Sequence, residues 1–226
     1  WPFHESDIRP EEELRFGQLA NGLRYIVRQN GRAAGTALVR MDVAVRSLDE
    51  RESERGYAHF VEHMAFNGST RVAEGEMVRL LERHGLAFGA DTNASTNFDR
   101  TQYKLDLPRA EPALLDTALM LMRETASELT LSAEAVEREQ GVILSERRDR
   151  DTWQLRDVIA NTTFFYPRSR FAARFPIGVP KTLEAATAQK LRDFYERTYV
   201  PAKTTLIVIG DFDPNLVEQQ IKAHFE

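Results

Sequence analysis

Residues 56–67 read Gly-Tyr-Ala-His-Phe-Val-Glu-His-Met-Ala-Phe-Asn, and apart from three side chains in its middle this stretch is almost wholly apolar. A helix that is apolar nearly all round is a buried helix, so the stretch predicts a central helix of the fold. Its ionisable residues are His59, Glu62 and His63. Positions three and four apart lie on one face of a helix, so these side chains converge. Because burying ionisable groups is costly unless they are paired or bind a metal, the pattern predicts a metal site.

The sequence on either side of this helix predicts blocks of strands and helices rather than a regular alternation of the two. Strands are indicated at residues 22–28, 37–46, 101–107 and 206–209, with a more exposed strand within 86–97. Helices are indicated at residues 74–84, 111–129, 133–150, 152–165, 187–199 and 215–225. Such blocks are typical of an α+β fold, in which a mostly antiparallel sheet is covered by helices on one side.

Length and composition limit the organisation of the chain. With 226 residues, of which 42% are hydrophobic and 29% charged, it can bury a sizeable core as an ordinary globular protein. Residues 1–13 mix prolines and acidic side chains and predict an N-terminal tail or linker, whereas residues 14–226 predict a single domain. The chain begins at Trp1 without a signal-peptide pattern, so we expect a mature or trimmed form.

Several classes of protein are disfavoured. A net charge of −5 argues against a nucleic-acid-binding surface. No apolar run is long enough to cross a bilayer. The chain has no cysteine, so it has no disulfide, no thiolate nucleophile and no thiolate zinc site. A zinc site in this chain must therefore be built from histidines and carboxylates.

A catalytic zinc site needs three protein ligands and one open position. His59 and His63 supply two ligands, and the predicted helix at residues 133–150 offers Glu139 or Glu146, which are seven residues apart and share one face. Glu62 is better placed to accept a proton from a water molecule than to bind the metal alongside its neighbours. Zinc and a nearby carboxylate together suit peptide hydrolysis. Spacing alone leaves the choice of third ligand open.

The order His-x-x-Glu-His is the inverzincin signature, and the sequence around it is also informative. The signature lies within the run Arg-Gly-Tyr-Ala-His-Phe-Val-Glu-His-Met-Ala-Phe-Asn-Gly at 55–68. Four further stretches accompany it, namely Thr-Asn-Ala-Ser-Thr at 92–96, Glu-Arg-Glu-Gln-Gly-Val-Ile-Leu-Ser-Glu at 137–146, Tyr-Val-Pro at 199–201 and Val-Ile-Gly-Asp at 208–211. With these stretches, the chain resembles the zinc-binding N-terminal domain of the pitrilysin-type (M16) metallopeptidases from about residue 14 to 225. Phe-Asn-Gly-Ser-Thr at 66–70 looks most like the bacterial, often periplasmic, branch.

This resemblance implies a fold and a division of roles among the site residues. The implied fold is the LuxS/MPP-like metallohydrolase fold. His59, His63 and Glu146 would hold Zn²⁺, and Glu62 would be the general base. Glu139 would orient the site without binding the metal. If the alignment with the family is shifted, Glu139 becomes the ligand in place of Glu146.

The resemblance also implies how a substrate binds and what else the enzyme needs. Asn93 and Ala94 would lie on an edge strand that pairs with the backbone of an extended peptide substrate. In this family two halves enclose the substrate, and the second half contributes an Arg and a Tyr near the scissile bond. We therefore expect that a C-terminal half or partner subunit is needed for full activity. A periplasmic location is implied by the same likeness.

Two classes of function remain open. The first is a zinc-dependent endopeptidase that acts on unstructured peptides. The second is a non-catalytic scaffold or metal-binding subunit of a heteromeric complex of the same family. A base beside a complete ligand set favours the first class, because a scaffold needs no base.

Simpler interpretations of individual residues also remain. The two histidines and Glu62 could be a hydrogen-bonded core cluster without a metal, and Glu146 could belong to a solvated helix face. Glu139 could form a surface pair, and Asn93 could be a turn residue. Arg168, Arg170 and Arg174 are expected on a solvated loop rather than at a substrate carboxylate.

Overall fold

Six strands form one mixed sheet in the computed structural model, which describes residues 1–87, 89 and 91–226. The strands are β1 (Leu14–Gln18), β2 (Arg24–Gln29), β3 (Ala37–Val43), β4 (Thr92–Thr96), β5 (Thr101–Leu107) and β6 (Thr204–Gly210). Their order across the sheet is β1-β2-β6-β3-β5-β4. The pairing of β2 with β6 is parallel, and the other four pairings are antiparallel.

Eight α-helices accompany the sheet within the described part of the chain. They are α1 (Tyr57–Met64), α2 (Glu76–Arg83), α3 (Pro112–Ser127), α4 (Ala133–Arg150), α5 (Trp153–Phe165), α6 (Pro180–Glu184), α7 (Ala188–Thr198) and α8 (Pro214–Phe225). Among the described residues, no helix combines the length and apolar character that a membrane crossing requires.

One face of the sheet is buried and the other is half-buried. Along β3, β5 and β6, fully buried residues alternate with half-buried ones. Val39 and Val208, paired across β3 and β6, are both inaccessible to solvent. Helices α1, α3 and α8 pack against the sheet. The expected α+β class, with a mostly antiparallel sheet covered by helices on one side, is therefore confirmed.

Helix α1 lies at the centre of this packing, as its apolar sequence predicted. Seven of its eight residues are buried, and they include all the apolar residues of the helix. It contacts α4, α7, β4 and β5. Because α1 is enclosed on several sides, every ionisable side chain on it needs a partner or a metal.

Helix starts follow the capping residues of the sequence. Ser132, Thr152 and Thr187 precede α4, α5 and α7, and each hydroxyl accepts a hydrogen bond from the backbone N–H three residues further on. Such caps satisfy N–H groups that lack a partner within the helix. The start of α4 is consequently well defined, which fixes the positions of the glutamates along it.

Strand β1 was not predicted, because its sequence, Leu-Arg-Phe-Gly-Gln, carries a glycine and lacks a clear alternation. Gly17 lies opposite Tyr25 in the β1–β2 pairing, and a Cβ at Gly17 would lie 2.0 Å from the Tyr25 ring. The ring therefore occupies the space that a side chain at this position would take. This tertiary contact, rather than local preference, explains the glycine.

The segment that precedes β1 packs on that strand. The Trp1 and Phe3 rings lie 5.0 and 4.7 Å from the Phe16 ring, centroid to centroid. β1 begins at Leu14, the residue at which the predicted domain starts. The division into a tail of residues 1–13 and a domain of residues 14–226 stays a prediction.

Strand β6 makes the C-terminal part of the chain essential for the sheet, because it hydrogen-bonds both β2 and β3. We expect a chain that ends at Tyr199 to lack a cooperative denaturant transition, since β2 and β3 then lose a shared neighbour. A chain without residues 1–13 is the control, and it should keep the transition at a cost of about 1–3 kcal/mol for the lost aromatic contacts. Circular dichroism during urea unfolding measures both. Cooperative unfolding of the shorter chain would contradict the expectation.

Candidate metal centre

Two helices bring three potential metal ligands to one point. His59 and His63 extend from α1, and Glu146 extends from α4. The two Nε2 atoms are 3.2 Å apart, and Glu146 Oε2 lies 3.3 Å from His63 Nε2 and 3.6 Å from His59 Nε2. Within the described residues this is the group of His, Asp and Glu side chains that could hold a metal ion.

The spacing of these atoms suits zinc. With bonds of about 2.0–2.1 Å to nitrogen or oxygen, two ligands of a tetrahedral zinc ion lie about 3.3–3.4 Å apart. The three observed separations, 3.2, 3.3 and 3.6 Å, are close to this length. Glu146 Oε2 is also buried and has no hydrogen-bond partner among the described residues. A cation between the three atoms would satisfy that oxygen.

The electrostatics of the two histidines differ. Burial, together with the nearby His63 and Arg150, lowers the pKa of His59 to about 3, so this imidazole is neutral at pH 7. Burial also acts to lower the pKa of His63, but the hydrogen bond to Glu139 and the charges of Glu62 and Glu146 outweigh it and raise that pKa. The carboxylates thus favour a positive charge at His63. A proton or a metal ion can supply that charge, and metal binding releases the proton.

Glu139 contacts the opposite side of the His63 ring. His63 Nδ1 lies 3.1 Å from Glu139 Oε2, so the two can share a hydrogen bond while Nε2 faces Glu146. This bond lowers the pKa of Glu139. A carboxylate at the far nitrogen of a metal-binding histidine fixes the tautomer and the ring orientation. The structure therefore separates the two glutamates that spacing alone could not, although the metal-binding role of Glu146 stays a prediction.

Glu62 is buried on the same helix and faces β4. The Thr96 hydroxyl donates to Glu62 Oε2 over 2.7 Å. Burial raises the pKa of Glu62, and the bond from Thr96 and the charge of His63 offset part of this rise. A carboxylate with a raised pKa, one residue from a potential metal ligand, has the character of a general base.

Sequence reasoning missed two residues that contact this group. Arg150 Nη2 pairs with Glu146 Oε1 over 2.5 Å, which leaves Oε2 for the histidines. Its position four residues after Glu146 on one helix was an available signal. Thr96 had no such signal, because its contact with Glu62 joins a strand to a helix 34 residues away.

The start of α1 is fixed by a third residue that the sequence did not indicate. Glu50 is fully buried and accepts hydrogen bonds from the N–H groups of Gly56 and Ala58, over 3.0 and 2.9 Å. These are N–H groups at the helix start that have no partner within the helix. Glu50 thereby holds the backbone next to His59.

The loop of residues 166–179 contacts both helices of the centre. Arg174, expected in solvent, is only 4% exposed, and its Nε donates to the backbone oxygen of Glu50. A Cβ on Gly178 would approach the Gly56 Cα to 2.7 Å, and φ at Gly178 is +70°. Arg147, on α4, donates to the Gly178 backbone oxygen over 3.2 Å. The loop thus connects the start of α1 with the part of α4 that carries Glu146.

Strand β4 is an edge of the sheet, and it carries both predicted substrate-binding residues. Asn93 is exposed and Ala94 is half-buried. The Asn93 side chain accepts a hydrogen bond from the Ala94 N–H over 2.9 Å, so a peptide that pairs with this N–H has to displace it. Ala94 lies two residues from Thr96, or about 7 Å along the strand. Binding of substrate by Asn93 and Ala94 stays a prediction.

A groove of about 510 Å³ is lined by residues that contact the site carboxylates. Its lining includes Thr96, Arg150 and the apolar side chains of Phe98, Leu155 and Phe175. Thr96 contacts Glu62 and Arg150 contacts Glu146, so one residue lies between the groove and each of these two carboxylates. The groove can accept an apolar side chain next to the site.

Comparisons with known proteins agree with this architecture. The family profile described as Insulinase (Peptidase family M16) matches residues 25–168, more than half of the chain. A second profile, Peptidase M16 inactive domain, matches residues 185–226. The second match contains β6, which lies between two strands of the first, so the sheet joins the two matched regions.

Proteins named as zinc proteases are similar to most of the chain. The Zinc protease PQQL-like of Arabidopsis thaliana is 36% identical over 93% of this chain and 22% of its own length. The Probable zinc protease PqqL of Escherichia coli is 36% identical over 90% of this chain and 22% of its own. The first half of the periplasmic protease PqqL from Escherichia coli matches 97% of this chain and 47% of that one, with a TM-score of 0.92 and 34% identity.

The fold and the matched profiles together define a domain of a peptidase family. The chain belongs to the insulinase family of peptidases, family M16, as its resemblance to the pitrilysin-type enzymes implied. It spans about a fifth of the length of the curated relatives described above.

Proposed function

We propose that this chain is the zinc-binding catalytic domain of an endopeptidase that hydrolyses unstructured peptides. The observation that carries the proposal is the convergence of His59, His63 and Glu146 at tetrahedral spacing, with Glu62 on the same helix. Neighbours named as zinc proteases support it.

In this proposal, the atoms that would hold zinc are His59 Nε2, His63 Nε2 and Glu146 Oε2. Glu139 orients His63 through Nδ1, and Arg150 holds the second oxygen of Glu146. A zinc ion held there would supply a coordinated water with a pKa of about 7 and a Lewis acid that polarises a substrate carbonyl. The neutral state of His59 at pH 7 supports its role as a ligand.

Glu62 acts as the proton carrier. It takes a proton from the attacking water at one carboxylate oxygen and returns it to the nitrogen that leaves when the peptide bond breaks. Burial raises the pKa of Glu62, which favours uptake of a proton by this carboxylate.

The substrate lies along β4 as an added strand. Asn93 and Ala94 offer the open edge, and main-chain pairing there gives affinity that depends little on side-chain sequence. An extended peptide is needed for such pairing, which supports unstructured substrates. The apolar groove at Phe98, Leu155 and Phe175 then receives one side chain next to the scissile bond.

The ligand set is tested by zinc content and affinity. We expect one zinc per wild-type chain, because three donors converge on one point. Glu139→Gln should weaken zinc binding by about 10–100-fold, the usual cost of losing an orienting carboxylate, and Glu146→Gln should weaken it further. Glu134→Gln, an exposed change on the same helix, is the matched control. Competition with a chromophoric chelator measures all three. A larger loss in Glu139→Gln than in Glu146→Gln would reverse the assignment.

The role of Glu62 is tested by separating metal binding from turnover. Glu62→Gln should retain one zinc and lower kcat for an unstructured peptide by about 10²–10⁴-fold, the usual contribution of a general base. Glu134→Gln again serves as the control and should keep wild-type kcat. Turnover of Glu62→Gln within threefold of wild type would exclude the general-base role.

A second half of the enzyme is part of the proposal. Helix α5 has no buried residue among those described, and it exposes Trp153, Val158, Phe164 and Phe165. An apolar surface of this kind is more usual at an interface than on an isolated domain. The small share of its relatives that the chain covers supports a C-terminal half that completes the site.

The need for the rest of the enzyme is tested by comparing the chain alone with a protein in which everything that follows the matched region in a relative, including the C-terminal half, is joined to the chain. Zinc affinity should be equal in the two, because the chain holds the whole proposed ligand set. Turnover should be lower in the chain alone by about 10²–10³-fold, the cost of losing transition-state contacts from the other half. Equal turnover would show that the chain is self-sufficient.

Domain and location complete the proposal. Residues 14–226 act as one unit, supported by the central place of β6 in the sheet. A periplasmic location is supported by the description of the Escherichia coli relative as a periplasmic protease.

A further inference from the structure

Thr96 is the one described residue whose side chain donates a hydrogen bond to Glu62. It ends β4 and lies opposite Thr101, the first residue of β5. Its Oγ1 is 2.7 Å from Glu62 Oε2 and 3.3 Å from Thr101 Oγ1. The Thr96 hydroxyl therefore lies between Glu62, the proposed general base, and Thr101, which is fully buried.

The protons of the two hydroxyls can be assigned from their acceptors. Thr101 Oγ1 donates to the backbone oxygen of Val45 over 3.0 Å, and a carbonyl oxygen can only accept. Thr101 thus has no second proton for Thr96. The single proton of Thr96 is then free to point at Glu62, and the 3.3 Å contact between the two hydroxyl oxygens is not a hydrogen bond.

A glutamate carboxylate needs such a partner to have a defined orientation. Rotation about the last side-chain bond of glutamate is broad, with no sharp staggered minima. One hydrogen bond to Oε2 selects a single orientation and leaves Oε1 without a donor among the described residues. A neutral hydroxyl fixes the orientation of Glu62 without adding a charge beside the potential metal ligands.

We propose that Thr96 is a positioning residue, which holds Glu62 by Oε2 so that Oε1 faces the attacking water and receives its proton. This inference rests on the proposed role of Glu62 as general base. It assigns different tasks to the two oxygens of Glu62, one to binding within the protein and the other to the reaction.

Three substitutions test the inference in the zinc-loaded chain joined to all that follows the matched region in a relative, including the C-terminal half. Thr96→Val keeps the shape and strand preference but removes the hydroxyl, and Thr96→Ser keeps the hydroxyl. Thr117→Val is the matched control, because Thr117 donates to the Ala113 backbone oxygen on an exposed helix face. Should Thr96→Val fail to fold, Thr96→Ala, which also lacks the hydroxyl, replaces it.

The expected result is a loss of kcat of about 10–100-fold in Thr96→Val, part of the 10²–10⁴-fold that a general base contributes. KM and zinc affinity should stay within twofold of wild type, and Thr96→Ser should restore most of kcat. A loss of fold stability alone would not separate kcat from zinc affinity in this way. Wild-type kcat in Thr96→Val, or equal losses in Thr96→Ser and Thr96→Val, would overturn the inference.

A crystal structure of Thr96→Val gives a readout that does not depend on activity. The Glu62 carboxylate should leave the place it occupies in wild type, and an unmoved carboxylate would overturn the inference. If the zinc-loaded wild type does not hydrolyse peptides, the position of the Glu62 carboxylate in this crystal structure is the deciding test. Failure of the proposed function has a different signature, namely an inactive zinc-loaded wild type or an active Glu62→Gln.

Discussion

The cost of burying ionisable side chains is the constraint around which this domain is organised. His59, Glu62 and His63 lie on a helix enclosed by α4, α7 and the sheet, where each charge needs a partner. Glu139 and Glu146 meet the two nitrogens of the His63 ring, and both oxygens of Glu146 are directed, one to Arg150 and one to the histidines. The three carboxylates of Glu62, Glu139 and Glu146 outnumber Arg150, the one fixed cation paired with them among the described residues, so a bound cation is favoured among them. Burial of these carboxylates is therefore a reason for the proposed metal site.

The close approach of His59, His63 and Glu146 depends on how α1 packs against α4. Glu50 holds the start of α1, and the loop that contains Gly178 contacts both Gly56 and Arg147. These contacts lie beyond the proposed ligands and join the backbone at the start of α1 to the part of α4 that carries Glu146. The same loop contributes Phe175 to the groove, so it contacts both the groove and the helices that carry the potential ligands.

Most elements were predictable from local pattern, and the exceptions have physical reasons. Periodicity and capping residues indicated α1, α4 and β5 because their signals lie within one segment. β1 was missed because Gly17 is explained only by the ring of Tyr25 on the neighbouring strand. The short α6 was missed because five residues carry too little periodicity. Arg174 was expected in solvent, but it is buried against the backbone of Glu50.

The sequence by itself determined that two histidines and a glutamate share one face of a buried helix, because helical spacing is local and fixed. It also placed Glu139 and Glu146 on one face of a second helix. Only the tertiary structure decided which of these glutamates lies near the Nε2 atoms of the histidines. That depends on how α1 packs against α4, and the residues in contact are 76 or more positions apart in the sequence. The contact of Thr96 with Glu62 was decided in the same way, because strand and helix meet only in the folded protein.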